Sequence, residues 1–170
     1  MKIIQLILRF IFLVLLQVWV LNEIAFHGFL NPYLYIAFIL LFPPQTSRIQ
    51  LMLIGFAMGL SIDIFENSMG LHAAATTLLG YLRPWQLGLF TERDEVKDEN
   101  FRFSNMRRVP FFIYLLVGVF THHLVLFALE NFSINNLGSV LWRSLYSSGF
   151  TFIFIVLYYL LKPRNKGKRL

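Results

Sequence analysis

The sequence predicts an all-α membrane protein, a compact bundle of about six transmembrane helices with both termini on the cytoplasmic side. Three observations carry this. Of 170 residues, 57% are hydrophobic and 14% charged, against about 45–50% and about 25% in an ordinary soluble domain. The apolar residues gather into runs, and roughly 17–25 such residues cross a bilayer. The basic residues then fall almost entirely on one side of those runs, as the cytoplasmic excess of Lys and Arg requires. An aromatic share of 17% adds apolar surface that only lipid can cover.

The first span covers 3–21, interrupted only by Gln5, Arg9 and Gln17. It is too long for the apolar core of a signal peptide, and no small-residue cleavage site follows it. The second covers 26–42. Its uninterrupted part, Tyr33 to Phe42, is short and lies between Pro32 and Pro43-Pro44, so taken alone it also reads as a re-entrant segment. The third and fourth cover 49–65 and 70–90, a polar loop follows at 91–108, and the fifth and sixth cover 109–129 and 145–161. A basic tail, 162–170, ends the chain, which reads as a single integral membrane domain.

Charge placement decides the second span. With six spans, Lys2, Arg9, Arg48, the basic residues of the 91–108 loop and those of the tail share one side, Arg83 lies toward it, and Arg143 alone falls opposite. Omitting the second span would move the loop and tail outside and leave Lys2 and Arg9 within. Glu23, Asp63, Glu66 and Glu130 sort to the outer face, while the remaining acids share the 91–108 loop with five basic residues and nearly neutralise it. The tail is suited to anionic membrane lipids, at about 1 kcal/mol per basic residue near the surface, although setting topology accounts for it first. The net charge of +6 therefore points to a membrane and not to nucleic acid.

No Cys is present, which excludes disulfides, thiolate metal sites and cysteine nucleophiles. HExxH, G-x-S-x-G and Gly-rich phosphate loops are also missing. No catalytic, cofactor or metal site is expected. His122 and His123 project about 100° apart on a helix and do not converge on one metal. His123 and Glu130, seven residues apart, share a face and form a candidate polar pair. Hydrogen-bonded structural histidines that join helices across the bundle are favoured over a proton relay or a metal site.

The stretch from Gly55 to Gly80 is the most informative. Gly55 and Gly59 make a GxxxG step, with Asp63 one turn further on the same face. After a short turn come Gly70, Leu71, His72 and Ala73, and Ala73–Thr77 and Thr76–Gly80 supply a second small-residue surface. Small residues allow close backbone approach where no hydrophobic force drives helices together. The two spans therefore form an antiparallel hairpin, and Gly59→Leu is expected to disrupt folding or partner binding. Asp63 reads equally as a cap on the following turn, an interfacial charge, an ion-pair member or a partner contact.

This hairpin resembles the signature of the rod shape-determining protein MreD family: a small-residue helix with an Asp near its end, a short loop, and a Gly-Leu-His-Ala start to the next helix. Asn31-Pro32-Tyr33, Tyr81-Leu82-Arg83-Pro84 and the His122-His123 helix resemble its Bacteroidetes members in particular. The resemblance implies a non-enzymatic scaffold of the cell-wall elongation machinery in the bacterial inner membrane. Its direct partner would be MreC, and its indirect partners MreB filaments, a glycan polymerase and a penicillin-binding transpeptidase. It also implies a bundle like the substrate-binding subunits of vitamin transporters. The alternative function is accordingly capture of a small vitamin-like solute, for which Asp63, Asn67, His72, Trp142 and Arg143 are the candidate polar groups. An intramembrane enzyme would have only Thr121, His122 and His123 to use.

Overall fold

The apolar runs become helices in the computed structural model of the protein, which describes residues 3–24, 31–92, 95, 96, 98, 101–131 and 137–161. Helix α1 (Ile3–Leu16) continues through a π-helical turn, Gln17–Leu21, and a 3-10 turn, Asn22–Ile24. A 3-10 turn, Leu34–Ile36, leads into the short α2 (Ala37–Leu40). Then come α3 (Arg48–Glu66), α4 (Leu71–Phe90), α5 (Arg108–Asn131) and α6 (Leu137–Leu161). No strand occurs among the described residues. Four helices, Ile3–Leu21, α3, α5 and α6, are long and apolar enough to cross a membrane. Helix α4 matches them in length at 20 residues, but its inner face carries His72, Thr76, Arg83 and Gln86, which dilute its hydropathy.

The boundaries of α3 and α4 follow from capping. Ser47 and Gln50 form a reciprocal capping box at the start of α3, satisfying two donors that a helix start leaves unpaired. Asn67, in the left-handed region at φ 53°, ends α3, and its N–H is donated to the Asp63 carbonyl. Gly70, at φ 88°, starts α4 without a side-chain cap of its own.

The second span needs correction. The segment expected to be a helix over 26–42 is helical only at Leu34–Leu40 among its described residues, and 25–30 lie outside them. Proline removes a backbone donor and disfavours helix in the residue before it. Pro32 and Pro43-Pro44 bracket the segment and leave room for only about two turns. Its described part nevertheless runs lengthwise through the bundle, from Tyr35 beside His72 near the start of α4 to Phe42 beside Arg83 in its second half. The preceding turn ends at the same side as α3, where Asn22 donates to Glu66.

This broken crossing occupies the centre. Every residue from Pro32 to Phe42 is buried. Around it α3 packs on α4, α4 on α5 and α5 on α6. Helix α1 touches α3 and reaches α6 through Arg9, whose guanidinium lies 5.5 Å from the Tyr158 ring. Large apolar side chains such as Ile7, Leu53, Trp85, Leu141 and Leu157 point outward and are half or more exposed. A surface of that kind is solvated by lipid, and irregular backbone is tolerated at membrane depth only when protein encloses it, as here.

Candidate functional site

A short helix with extended flanks leaves backbone carbonyls and amides without intrahelical partners. Four of the surrounding segments, α1 with its π-helical turn, α4, α5 and α6, supply polar side chains to them. Gln17 of the π-helical turn donates to Pro32 O at 3.0 Å, and Arg9 of α1 to Ala37 O at 3.2 Å. Tyr114 of α5 donates to Leu40 O at 2.8 Å. Arg83 of α4, fully buried, donates to the carbonyls of Phe42 and Pro43 and to the Tyr114 hydroxyl. Thr151 of α6 accepts from the Tyr33 amide at 3.0 Å. In hydrocarbon each unmade bond of this kind costs several kcal/mol, so the polar residues inside the apolar runs are explained by the break they surround.

Three histidines gather around Tyr33 and Tyr35, with ring centroids 5.2 to 6.3 Å from these tyrosines. His123 is closed on itself. Its Nδ1 faces the Val119 carbonyl at 2.9 Å and therefore carries the proton, which leaves Nε2 to accept from the Thr151 hydroxyl at 3.1 Å. The expected His123–Glu130 pair is not formed. Glu130 pairs with Arg143 at 2.9 Å, because the partly exposed guanidinium, stacked on Phe127, is the nearer charge for a rim carboxylate. His122 and His72 behave differently. The Tyr35 hydroxyl lies 2.7 Å from His72 Nδ1 and 3.0 Å from His122 Nε2, and His72 Nε2 lies 3.0 Å from Glu66.

Asp63 resolves into the cap. Its two oxygens accept from the backbone N–H of His72 (3.0 Å) and Ala73 (2.8 Å) and from the Ser68 hydroxyl (2.6 Å). The carboxylate thus provides the N-terminal cap that Gly70 lacks and sits where the helix dipole favours negative charge. The small residues bring α3 and α4 into backbone contact. A Cβ added to Gly55 would lie 2.5 Å from Thr76 O, and one added to Gly80 would lie 2.5 Å from Leu51 O. The Thr76 hydroxyl donates across the seam to Gly55 O at 2.7 Å. Gly55, Gly59 and Gly80 are therefore used up by internal packing.

The same hairpin presents an open groove of about 860 Å³ on its outer surface. Apolar side chains of α3, including Met52, Phe56 and Leu60, form one wall, and Ala73, Ala74 and Thr77 of α4 form a shallow floor. Gly70 and Asp63 lie at one end and Tyr81 at the other, where Arg48 stacks over the Tyr81 ring at 4.7 Å. Of the expected site residues, Gly70, Ala73, Thr77 and one edge of Asp63 reach this surface, whereas His72 faces the core.

Of the polar groups weighed for a solute site, Asp63, His72 and Arg143 are bonded to other parts of the protein. Asn67 and Trp142 are exposed. Tyr35, Gln17, Arg83, Tyr114 and Thr151 carry the interior, and the sequence marked them only as interruptions in apolar runs or as span residues. The bracketing prolines were the one signal, since a broken crossing requires partners. Comparison with protein-family models, with characterised proteins and with solved structures finds no match to this chain.

Proposed function

We infer that this chain is a non-catalytic membrane scaffold of the bacterial cell-wall elongation machinery, and that it seats the membrane helix of an MreC partner in the α3–α4 groove. The observation that carries the reading is the groove itself. It is apolar, open to lipid and floored by small side chains, the surface on which a second helix approaches closely. Helix α3 has 19 residues and at 1.5 Å per residue runs about 28 Å, close to the roughly 30 Å hydrocarbon core that a partner helix must also cross. The resemblance of the hairpin to MreD proteins supplies the partner. In this reading the Glu66 end faces the periplasm, the 91–108 loop and the tail lie in the cytoplasm, and the membrane is the inner one.

Solute capture is the weaker reading, because three of its polar candidates already serve the fold. The test is depletion of the protein in its host, with complementation by wild type or by Ala74→Trp. That exchange fills the groove from an exposed position and leaves the internal seam alone. Rounded cells with delocalised wall synthesis, unrelieved by rich medium, are expected on depletion. Ala74→Trp should accumulate normally yet fail to co-purify MreC or restore shape. Normal shape with a growth defect cured by one nutrient would reject the scaffold, and wild-type complex formation by Ala74→Trp would reject the groove as its site.

A further inference from the structure

The two ends of the α3–α4 groove differ from its walls and from each other. Where α3 stops, Ile64, Phe65 and Met69 are all exposed, Met69 at 95%. Lipid covers the outward faces of α3 and α4, but Met69 lies beyond the last residue of α3, in a turn with the polar Asn67 and Ser68. Its side chain lines the mouth of the groove. At the opposite end Arg48, the exposed first residue of α3, lays its guanidinium over the Tyr81 ring. It makes no ion pair among the described residues.

The backbone of the turn singles out Met69. Asn67 at φ 53°, Met69 at φ 54° and Gly70 at φ 88° are all left-handed. Glycine takes that conformation freely and asparagine readily, whereas the Cβ of a methionine crowds the following carbonyl. The turn is nevertheless held on both sides of Met69. The Asp63 carbonyl accepts from the Ser68 N–H at 3.3 Å, one Asp63 carboxylate oxygen accepts from the Ser68 hydroxyl at 2.6 Å, and the Ser68 carbonyl accepts from the Leu71 N–H at 3.1 Å. A strained position that its neighbours hold in place, and that keeps a long apolar side chain in the open, suits a contact that covers that side chain.

We propose that the groove selects its occupant at both ends. It takes a transmembrane helix with a carboxylate at its cytoplasmic end, which pairs with Arg48, and an apolar or aromatic side chain just past its outer end, which covers Met69. This rests on the scaffold reading above and names what the partner's helix carries. Charge complementarity sets the first contact, because a guanidinium held on a ring face still offers its N–H fork to a carboxylate. The second suits a thioether, which adapts its shape and packs well on aromatic rings. The two contacts flank α3, which at 19 residues runs about 28 Å. One helix crossing the whole bilayer meets both, whereas a single lipid reaches only about half of the roughly 30 Å hydrocarbon core. The contacts also fix the direction in which the partner lies.

The experiment is co-purification of MreC with the tagged full chain from host membranes, with the melting temperature of each variant measured alongside. Met69→Gly should lower recovery of MreC about tenfold or more, while its melting temperature holds or rises by up to about 4 °C as the turn relaxes. Met69→Leu keeps an apolar side chain and should keep the partner. Arg48→Glu should also lower recovery about tenfold, without weakening the start of α3, where the helix dipole favours an acid. Loss of MreC by Ala74→Trp but its retention by Met69→Gly or Arg48→Glu would overturn the proposal and leave the groove reading standing. Retention by all three would remove both. A melting temperature of Met69→Gly below wild type would assign Met69 to the stability of the turn and overturn its role as a contact. Recovery of a phospholipid or a second copy of this chain in place of MreC, lost with Ala74→Trp, would overturn the proposal as well.

Discussion

One methyl group tests the hairpin packing with opposite signs at different positions. A Cβ on Gly59 would lie 2.5 Å from Ala73 Cα and closer still to Thr76 Oγ1 and the His72 carbonyl. Favourable contacts to carbon are about 3.5–4.0 Å, so α3 and α4 must part by about 1 Å. The Thr76 Oγ1–Gly55 O bond, 2.7 Å long, then stretches beyond hydrogen-bonding range. Overpacking costs about 1–3 kcal/mol and a lost buried hydrogen bond about 1 kcal/mol. Gly59→Ala is thus expected to lose about 2–4 kcal/mol, or about 4–16 °C in melting temperature at this chain length. Gly88 and Gly149 lie in helices with nothing within 4 Å of an added Cβ. There Ala should gain about 0.5–1 kcal/mol from backbone entropy. The assay is thermal unfolding followed by circular dichroism in one detergent, with all three variants side by side. If Gly59→Ala melts with or above Gly88→Ala, the close approach of α3 and α4 is wrong.

The central crossing gives two further expectations. Arg83→Met removes the donor to the carbonyls of Phe42 and Pro43, each costing about 1–3 kcal/mol when left bare, offset in part by relief of burying a guanidinium. The connector ahead of α3 should loosen, so trypsin should cut after Arg48 faster than in wild type; an unchanged cleavage rate would remove Arg83 from this role. Thr151→Val strips partners from both the Tyr33 amide and His123 Nε2 and should cost about 2 kcal/mol. Glu130→Gln weakens only a rim ion pair, with an effect of about 0–1 kcal/mol. Equal melting shifts for the two would restore Glu130 as a partner of the buried histidine.

Much of the architecture was legible because hydrophobic run length and glycine spacing are local signals. The run 49–65 falls on α3 within one residue at each end, and 109–129 lies inside α5. The α3–α4 hairpin was visible in Gly55, Gly59 and Gly80, since a helix pair in lipid has few ways other than small residues to approach closely. The sixth run, expected at 145–161, starts too late, because Arg143 and Ser144 interrupt the apolar pattern that marks a span. In the structure Arg143 is held against Phe127 and Glu130 and the helix begins at Leu137. The second span failed for a different reason. Apolar content is the same whether a segment faces lipid as a helix or lies buried without one, so composition cannot distinguish the two. Charge placement required a crossing there, and only the prolines indicated its conformation.

That distinction also governs how the polar residues are read. Gln17, Arg83, Tyr114 and Thr151 are each expensive inside an apolar bundle, and expense alone suggests function. Here each is matched to a backbone group exposed by the break, so their presence follows from the fold. Asp63 is matched in the same way to the start of α4, and His123 to Thr151 and Val119. What separates His122 from its neighbour is not burial, since both are fully buried, but an open valence. A side chain kept only for structure is satisfied by the groups it joins. His122 is joined to Tyr35 of the broken crossing through Nε2 alone, and its buried Nδ1 has no partner among the described residues.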